Sequence, residues 1–258
     1  MRARARRVWL RRFAIVTATL VLAVYINGWR PSVGRGRPAV FTAGVLAGVV
    51  AVVSPIHVAA ETSLAWHMTQ HVLLIGVAAP LIAMSAPGGI LLRGLGRRST
   101  GLARGLRRSS DLGPARLRRL RNPVGRWLVF VLVLWGWHTA RLYSLAVEHA
   151  WVHSIEHVSF VVVALAVWSC VLGPTRASGG ADPAIRVIVV FLVGLQGVIL
   201  SALMTFSPQP WYPVYVESLG PDALADQRLA GVLMWVPLGA LCTVAGIWAT
   251  MAWLGPDD

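Results

Sequence analysis

The stretch from Trp66 to Leu91, WHMTQHVLLIGVAAPLIAMSAPGGIL, decides the fold class of this chain. It contains no Asp, Glu, Lys or Arg, and it is longer than the roughly 20 residues that an α-helix needs to cross the hydrocarbon core of a membrane. We therefore expect a transmembrane helix here. His67 and His71 lie near its start, four residues apart, so their side chains should share one face of the helix.

The rest of the chain has the same apolar character. Of its 258 residues 56% are hydrophobic and 13% are charged, and the mean hydropathy is +0.65, whereas soluble domains are about 25% charged. Cys170 and Cys242 each lie alone inside an apolar run, so we interpret them as core residues rather than as a disulfide or a redox motif. The pattern predicts an all-α bundle of about seven transmembrane helices that forms a single domain over 1–258. The predicted spans are 10–28, 39–57, 66–91, 126–146, 150–172, 186–206 and 229–254.

The basic residues indicate how the bundle is oriented. All 24 are Arg, and they give a formal net charge of +14. Most fall in loops between apolar runs, so we expect membrane lipids rather than nucleic acid as their partners. Because Arg-rich loops stay in the cytoplasm, the loop 92–125, which carries eleven Arg with its flanks, should be cytoplasmic. This orientation places sixteen Arg inside and eight outside, although six of those eight form an N-terminal cluster that argues against it.

The same orientation brings every histidine towards the outer face of the membrane. With a helix rise of about 1.5 Å per residue, His71 and His157 should lie within roughly 10 Å of the outer interface. No histidine falls in the cytoplasmic half of a predicted span. The seven are His57, His67, His71, His138, His149, His153 and His157.

Two sets of histidines have a spacing that suits a metal ion. His67 and His71 are four residues apart, and His149, His153 and His157 repeat that interval, so each set stacks on one helix face. Imidazole is a ligand for copper, zinc, iron and nickel, and pairs at i, i+4 can chelate one ion. Because ionisable groups at membrane depth are costly and usually functional, we predict a metal centre between the two sets.

Other side chains are weaker candidates for the same centre. Glu156 precedes the last histidine of the second set and could be a ligand or could orient an imidazole ring. The thioethers of Met68 and Met234 suit Cu(I), although such residues more often pack in a core. Taken alone, His57 and His138 are each more often ordinary hydrogen-bonded polar residues.

Four segments of the sequence carry a further pattern. They are Tyr25 to Arg30, Ser54 to Pro87 with HMTQHVLL at 67–74, His149 to Phe160, and Asp226 to Pro237. In this order they resemble the polytopic CtaG family of bacterial cytochrome c oxidase (caa-type) assembly factors, and the resemblance covers nearly the whole chain. The motif positions that match are His67, Met68, Gln70, His71, His153, Glu156, His157, Asp226, Met234 and Trp235.

The resemblance implies a function as well as a fold. It implies a multi-pass, non-enzymatic protein of the bacterial plasma membrane that helps to assemble a heme-copper oxidase and handles copper on the extracytoplasmic side. The implied partners are cytochrome c oxidase subunits and other copper chaperones, besides membrane lipids. Asp226 enters the set of candidate ligands only through the resemblance. The full predicted set is His67, His71, His153, His157, Met68, His57, His149, Glu156, Asp226 and Met234.

Two other functions could use the same histidines. A di-iron oxidoreductase within the membrane can carry HxxxH boxes, and a heme-binding protein can use histidines of facing helices as axial ligands. The metal content and the optical spectrum of the purified protein would separate these alternatives from a copper-binding assembly factor.

Overall fold

The computed structural model describes residues 2–96, 122–173 and 181–254, with side chains from residue 12 onwards. Within these ranges the chain forms helices and turns and no β-strand, which confirms the predicted all-α bundle. Most of the Arg-rich loop predicted at 92–125 lies outside the described residues. The helices are α1 (Arg2–Gly28), α2 (Arg37–Val53), α3 (Pro55–Ala59), α4 (Leu64–Val72), α5 (Ala79–Met84), α6 (Pro87–Gly94), α7 (Pro123–Trp137), α8 (Ala140–Glu148), α9 (Ala150–Leu172), α10 (Pro183–Thr205), α11 (Pro213–Leu219) and α12 (Ala223–Leu254), with short 3₁₀ turns at Pro31–Val33 and Gly220–Asp222.

Several of these helices are long and apolar enough to cross a membrane. The pair α7 and α8 qualifies only as one span that is bent by 72°, and the apolar part of α1, Arg12–Gly28, is shorter than the others. The chain is therefore a multi-pass membrane protein, and the expected seven crossings require that α1 and the bent pair each cross. In the described ranges, five segments qualify as single spans: Arg37–Ala59, Leu64–Met84, Ala150–Leu172, Pro183–Thr205 and Pro213–Leu254.

Serine and proline residues set the helix breaks before the first pair of histidines. Pro55 restricts the residue before it to extended backbone, and Ser54 has a φ of −71° and a ψ of 174°, so α2 ends there. The Ser54 hydroxyl then accepts a hydrogen bond from the N–H of Ile56 at 3.2 Å and caps α3. Ser63 caps α4 in the same way, and this cap places His67 in the second turn of α4.

A widened π-helical turn, Leu73–Ala78, joins α4 to α5. It precedes Pro80, which has no N–H to donate to a carbonyl of the preceding turn. Trp168 of α9 supplies a donor instead, because its indole N–H bonds the carbonyl oxygen of Ile75 at 2.8 Å. This hydrogen bond ties α9 to the helix that carries the first pair of histidines.

The main apolar core lies among α4, α5, α7, α9, α10 and α12. Trp168 is among its largest fully buried side chains. Cys170 and Cys242 are buried thiols in the same core, as the sequence predicted. The core thus surrounds the segments of α4 and α9 that carry the histidines.

A second, smaller apolar cluster joins α1, α2 and α6 around Tyr25, Phe41 and Ile90. Helices α1 and α6 approach each other very closely, because a Cβ placed on Gly28 would collide with the backbone of Ile90. Gly94 faces the backbone of α1 in the same way. This contact packs α1 against the bundle through glycine rather than through large side chains.

Candidate metal centre

Helix α4 carries two buried imidazoles on one face. The side chains of His67 and His71 are 0% and 2% exposed, and they lie one turn apart. Their Nε2 atoms are 3.1 Å apart, and the two rings meet edge to face with centroids 4.6 Å apart. Such a separation requires either a proton between the two nitrogens or a cation that both can bind.

Helix α9 supplies a carboxylate and two more imidazoles. Glu156 is fully buried, and its Oε2 lies 3.4 Å from Nε2 of His67 and 3.9 Å from Nε2 of His153. Its Oε1 lies 3.6 Å from Nε2 of His71. The ring of His157 has its centroid 4.2 Å from that of His153 and 5.6 Å from that of His71. The histidine sets of α4 and α9 therefore face each other around one buried carboxylate.

Four of these side chains form a compact set of donor atoms. One donor atom from each of His67, His153, Glu156 and His157 lies within 4.8 Å of the other three. Metal–nitrogen and metal–oxygen bonds of about 2.0–2.2 Å would span such a set after small side-chain rotations. The residue types and their spacing therefore fit a transition-metal ion.

Several polar atoms of this group have no hydrogen-bond partner among the residues that the structure describes. They are Nε2 of His153 and of His157, Nδ1 of His71, and both carboxylate oxygens of Glu156. A buried carboxylate in this condition costs several kcal/mol unless a cation compensates it. A metal ion would satisfy the carboxylate and the imidazole nitrogens together, so the unpaired donors support a cation site.

A network of tyrosine hydroxyls contacts Nδ1 of His67, the ring nitrogen that faces away from Glu156. The Tyr215 hydroxyl donates to the carbonyl of Ala60 at 3.0 Å and lies 3.3 Å from Nδ1 of His67. Since that hydroxyl has only one hydrogen, Nδ1–H of His67 is the donor in the second contact, and Nε2 keeps its lone pair for a metal. The Tyr143 hydroxyl lies 3.0 Å from that of Tyr215 and extends the network. The sequence pattern missed both tyrosines, because it does not show which parts of α8 and α11 meet α4.

His57 and Gln70 flank the centre on the α3 side. The His57 ring stacks on that of His153 with centroids 5.4 Å apart. The Gln70 side-chain N–H₂ donates to the carbonyl of Ala51 at 2.8 Å and lies 3.1 Å from Nδ1 of His57. The structure therefore places His57, which the sequence left as a weak candidate, beside the buried histidines.

His138 is also close to the centre, although the sequence favoured an ordinary hydrogen-bonded role for it. Its Nδ1–H donates to the carbonyl of Leu134 at 2.7 Å, in keeping with that role. Its Nε2 is buried without a hydrogen-bond partner in the described part of the chain, and its ring centroid is 6.1 Å from that of His71. Tyr212, in the loop before α11, donates its hydroxyl to the carbonyl of His138 at 3.0 Å. Burial raises the pKa of Tyr212, which keeps this hydroxyl protonated as a donor.

The remaining predicted ligands lie outside the compact set of four donor residues. His149 is exposed at the N-cap of α9, and Met68 and Met234 lie in the main apolar core. Asp226 of α12 accepts hydrogen bonds from the hydroxyl of Ser63 at 2.7 Å and from two backbone N–H groups at the start of α4. These contacts give Asp226 a capping role, whereas its predicted role as a metal ligand is untested.

A comparison with protein-family models confirms the family resemblance of the sequence. A family model described as cytochrome c oxidase caa3 assembly factor matches residues 15–255, which is nearly the whole chain. Searches of curated proteins and of solved structures find no match. The extent of the family match shows that this chain belongs to the cytochrome c oxidase caa3 assembly factor family.

Proposed function

We propose that this protein binds copper at the centre between α4 and α9 and handles it during the assembly of cytochrome c oxidase. The observation that carries the proposal is the buried carboxylate of Glu156, which lies 3.4, 3.6 and 3.9 Å from the Nε2 atoms of three histidines. Copper is the cargo in this proposal, and the protein holds and releases it without catalysing a reaction.

The donor set supports copper among the metals that imidazole binds. Divalent copper forms the strongest complexes of the first-row ions with nitrogen and oxygen ligands. The family is named for an oxidase whose assembly it serves, and a heme-copper oxidase requires copper. Cys170 and Cys242 are buried in the apolar core and are absent from the four-residue donor set described above. A site of imidazoles and one carboxylate holds the ion less firmly than thiolates would, which suits an ion that must be passed on.

The orientation of the centre is part of the proposal. The excess of Arg in the loops 29–38, 92–125 and 173–185 favours their location in the cytoplasm. The histidine centre would then lie in the outer half of the membrane. Cysteine substitutions in 92–125 and in 207–225, labelled with a membrane-impermeant maleimide in intact cells, should react only in the second region. The reverse labelling would place the histidines on the cytoplasmic side and contradict delivery from outside.

The identity and amount of the bound metal are tested by metal analysis and an optical spectrum of the purified protein. We expect copper in the wild-type protein, less copper in His71→Ala, and wild-type copper in Thr69→Ala, a control on the same helix. Alanine is the best helix former, so neither change should disrupt α4. An optical Soret band would indicate heme, and bound iron without heme would indicate a di-iron enzyme, so either result would replace the copper proposal.

The role in assembly is tested in cells at limiting copper. A strain with His157→Ala should make the oxidase polypeptides but lose oxidase activity, and added copper should restore part of that activity. Ser154→Ala, on an exposed position of the same helix, should behave as wild type. Normal oxidase activity in both His71→Ala and His157→Ala would exclude these histidines as the working site.

A further inference from the structure

The donors around Glu156 outnumber those that one copper ion needs. Five buried or partly buried imidazoles form one cluster here, four of them around the carboxylate and the fifth beside one of those four, whereas copper sites usually take about four protein ligands. One set of four residues is already compact enough for a single ion, and it does not include His71 or His138. The five histidines are His67, His71, His138, His153 and His157.

The two carboxylate oxygens of Glu156 point to different histidines. Oε2 lies closest to His67 and His153, at 3.4 and 3.9 Å, whereas Oε1 lies 3.6 Å from His71. Neither oxygen has a hydrogen-bond partner within the described ranges. A carboxylate with two free oxygens that face different ligand groups has the geometry of a bridge between two cations.

His138 can complete the group on the Oε1 side. Because its Nδ1–H is donated to the backbone, its unpartnered Nε2 carries the lone pair. Its ring centroid is 6.1 Å from that of His71, and an imidazole centroid lies about 3.2 Å from a bound metal, so both rings can reach one ion.

We infer that the protein binds two copper ions per chain, bridged by Glu156. The first ion is held by His67, His153, His157 and Glu156, and the second by His71, His138 and Glu156. The identity of the metal rests on the proposed function, whereas the number of ions rests on these donors alone. Two ions about 3.5–4 Å apart are typical of bridged two-metal sites, and the shared carboxylate reduces the repulsion between them.

The inference is tested by counting copper on the full-length protein in detergent. Protein is incubated with excess Cu(II), desalted, and analysed for copper per chain. We expect about two ions in the wild type, about one in His138→Ala, and two in Thr139→Ala, an exposed neighbour at the same helix break. Far-UV circular dichroism and size-exclusion chromatography confirm that each variant is folded.

Electron paramagnetic resonance tests the bridge. In the wild type, two close Cu(II) ions should give a half-field signal from their magnetic coupling. Glu156→Gln removes the anionic bridge and should abolish that signal, whereas Glu148→Gln, an exposed acidic position, should retain it.

The outcomes separate this inference from the proposed function. One copper ion per wild-type chain would overturn the two-ion site and leave the copper-handling proposal standing, whereas no bound copper would overturn both. Two ions that persist in His138→Ala, or two ions without magnetic coupling in the wild type, would also overturn the bridged site.

Discussion

Asp226 provides the sharpest test of how the centre is held, because the family resemblance made it a candidate ligand and the structure makes it a helix cap. Its carboxylate accepts hydrogen bonds from the hydroxyl of Ser63 at 2.7 Å, from the N–H of Leu64 at 2.6 Å and from the N–H of Ala65 at 3.3 Å. The two backbone donors lie at the N-terminus of α4, where the helix dipole favours a negative charge. Asp226 therefore ties α12 to the start of the helix that carries two of the histidines.

The size of the effect follows from these contacts. A hydrogen bond to a charged group contributes about 1.5–3 kcal/mol, and a charge at a helix terminus adds about 0.3–1 kcal/mol. Asn keeps one oxygen, which can accept both backbone N–H bonds that Oδ2 accepts, so Asp226→Asn loses the bond from Ser63 and the charge and should lower the free energy of unfolding by about 2–4 kcal/mol. That loss corresponds to a fall in Tm of roughly 5–10 °C.

The assay is thermal unfolding of the detergent-purified protein together with its copper content at saturating copper. Asp226→Asn should have a lower Tm but the same number of copper ions as the wild type. Asp222→Asn, an exposed acidic position four residues earlier, should change neither. A variant with wild-type Tm and less copper would refute the capping argument and make Asp226 a ligand.

Three further substitutions test the packing of the bundle and the support of the centre. Trp168→Phe removes the indole donor to the π-helical turn and should cost about 1–3 kcal/mol in thermal unfolding, whereas Trp151→Phe, at a position 65% exposed, should cost almost nothing. Gly28→Ala places a methyl group against the backbone of α6 and should cost about 1–3 kcal/mol, whereas Gly88→Ala, which has open space, should not lower the Tm. Tyr215→Phe should weaken copper binding about 10–100-fold in a competition titration without changing its stoichiometry, because the hydroxyl only orients the neighbouring imidazole. Equal affinity in wild type and variant would show that this hydroxyl does not position the ligand.

The apolar runs sufficed to predict a membrane-embedded helical bundle, because the length and polarity of a helix that crosses a membrane are local properties of the chain. The spacing of His67 and His71, and of His153 and His157, likewise predicted shared helix faces, since the helical repeat fixes which residues of one helix align. The bend of 72° between α7 and α8 was not predicted, because the sequence was interpreted as one span over 126–146 although His138, Thr139 and Arg141 interrupt its apolar run.

The sequence by itself thus determined the class of the protein and its helical segments. It also determined that each set of histidines shares one face of its own helix. Only the tertiary structure decided how far each helix is rotated about its axis and which of its neighbours it meets. The packing of the helices buries Glu156 between α4 and α9 and brings His138 beside His71. It also places the carboxylate of Asp226 at the start of α4. The physical reason is that the helical period relates residues within one helix, whereas contacts between helices depend on how side chains of distant segments pack together.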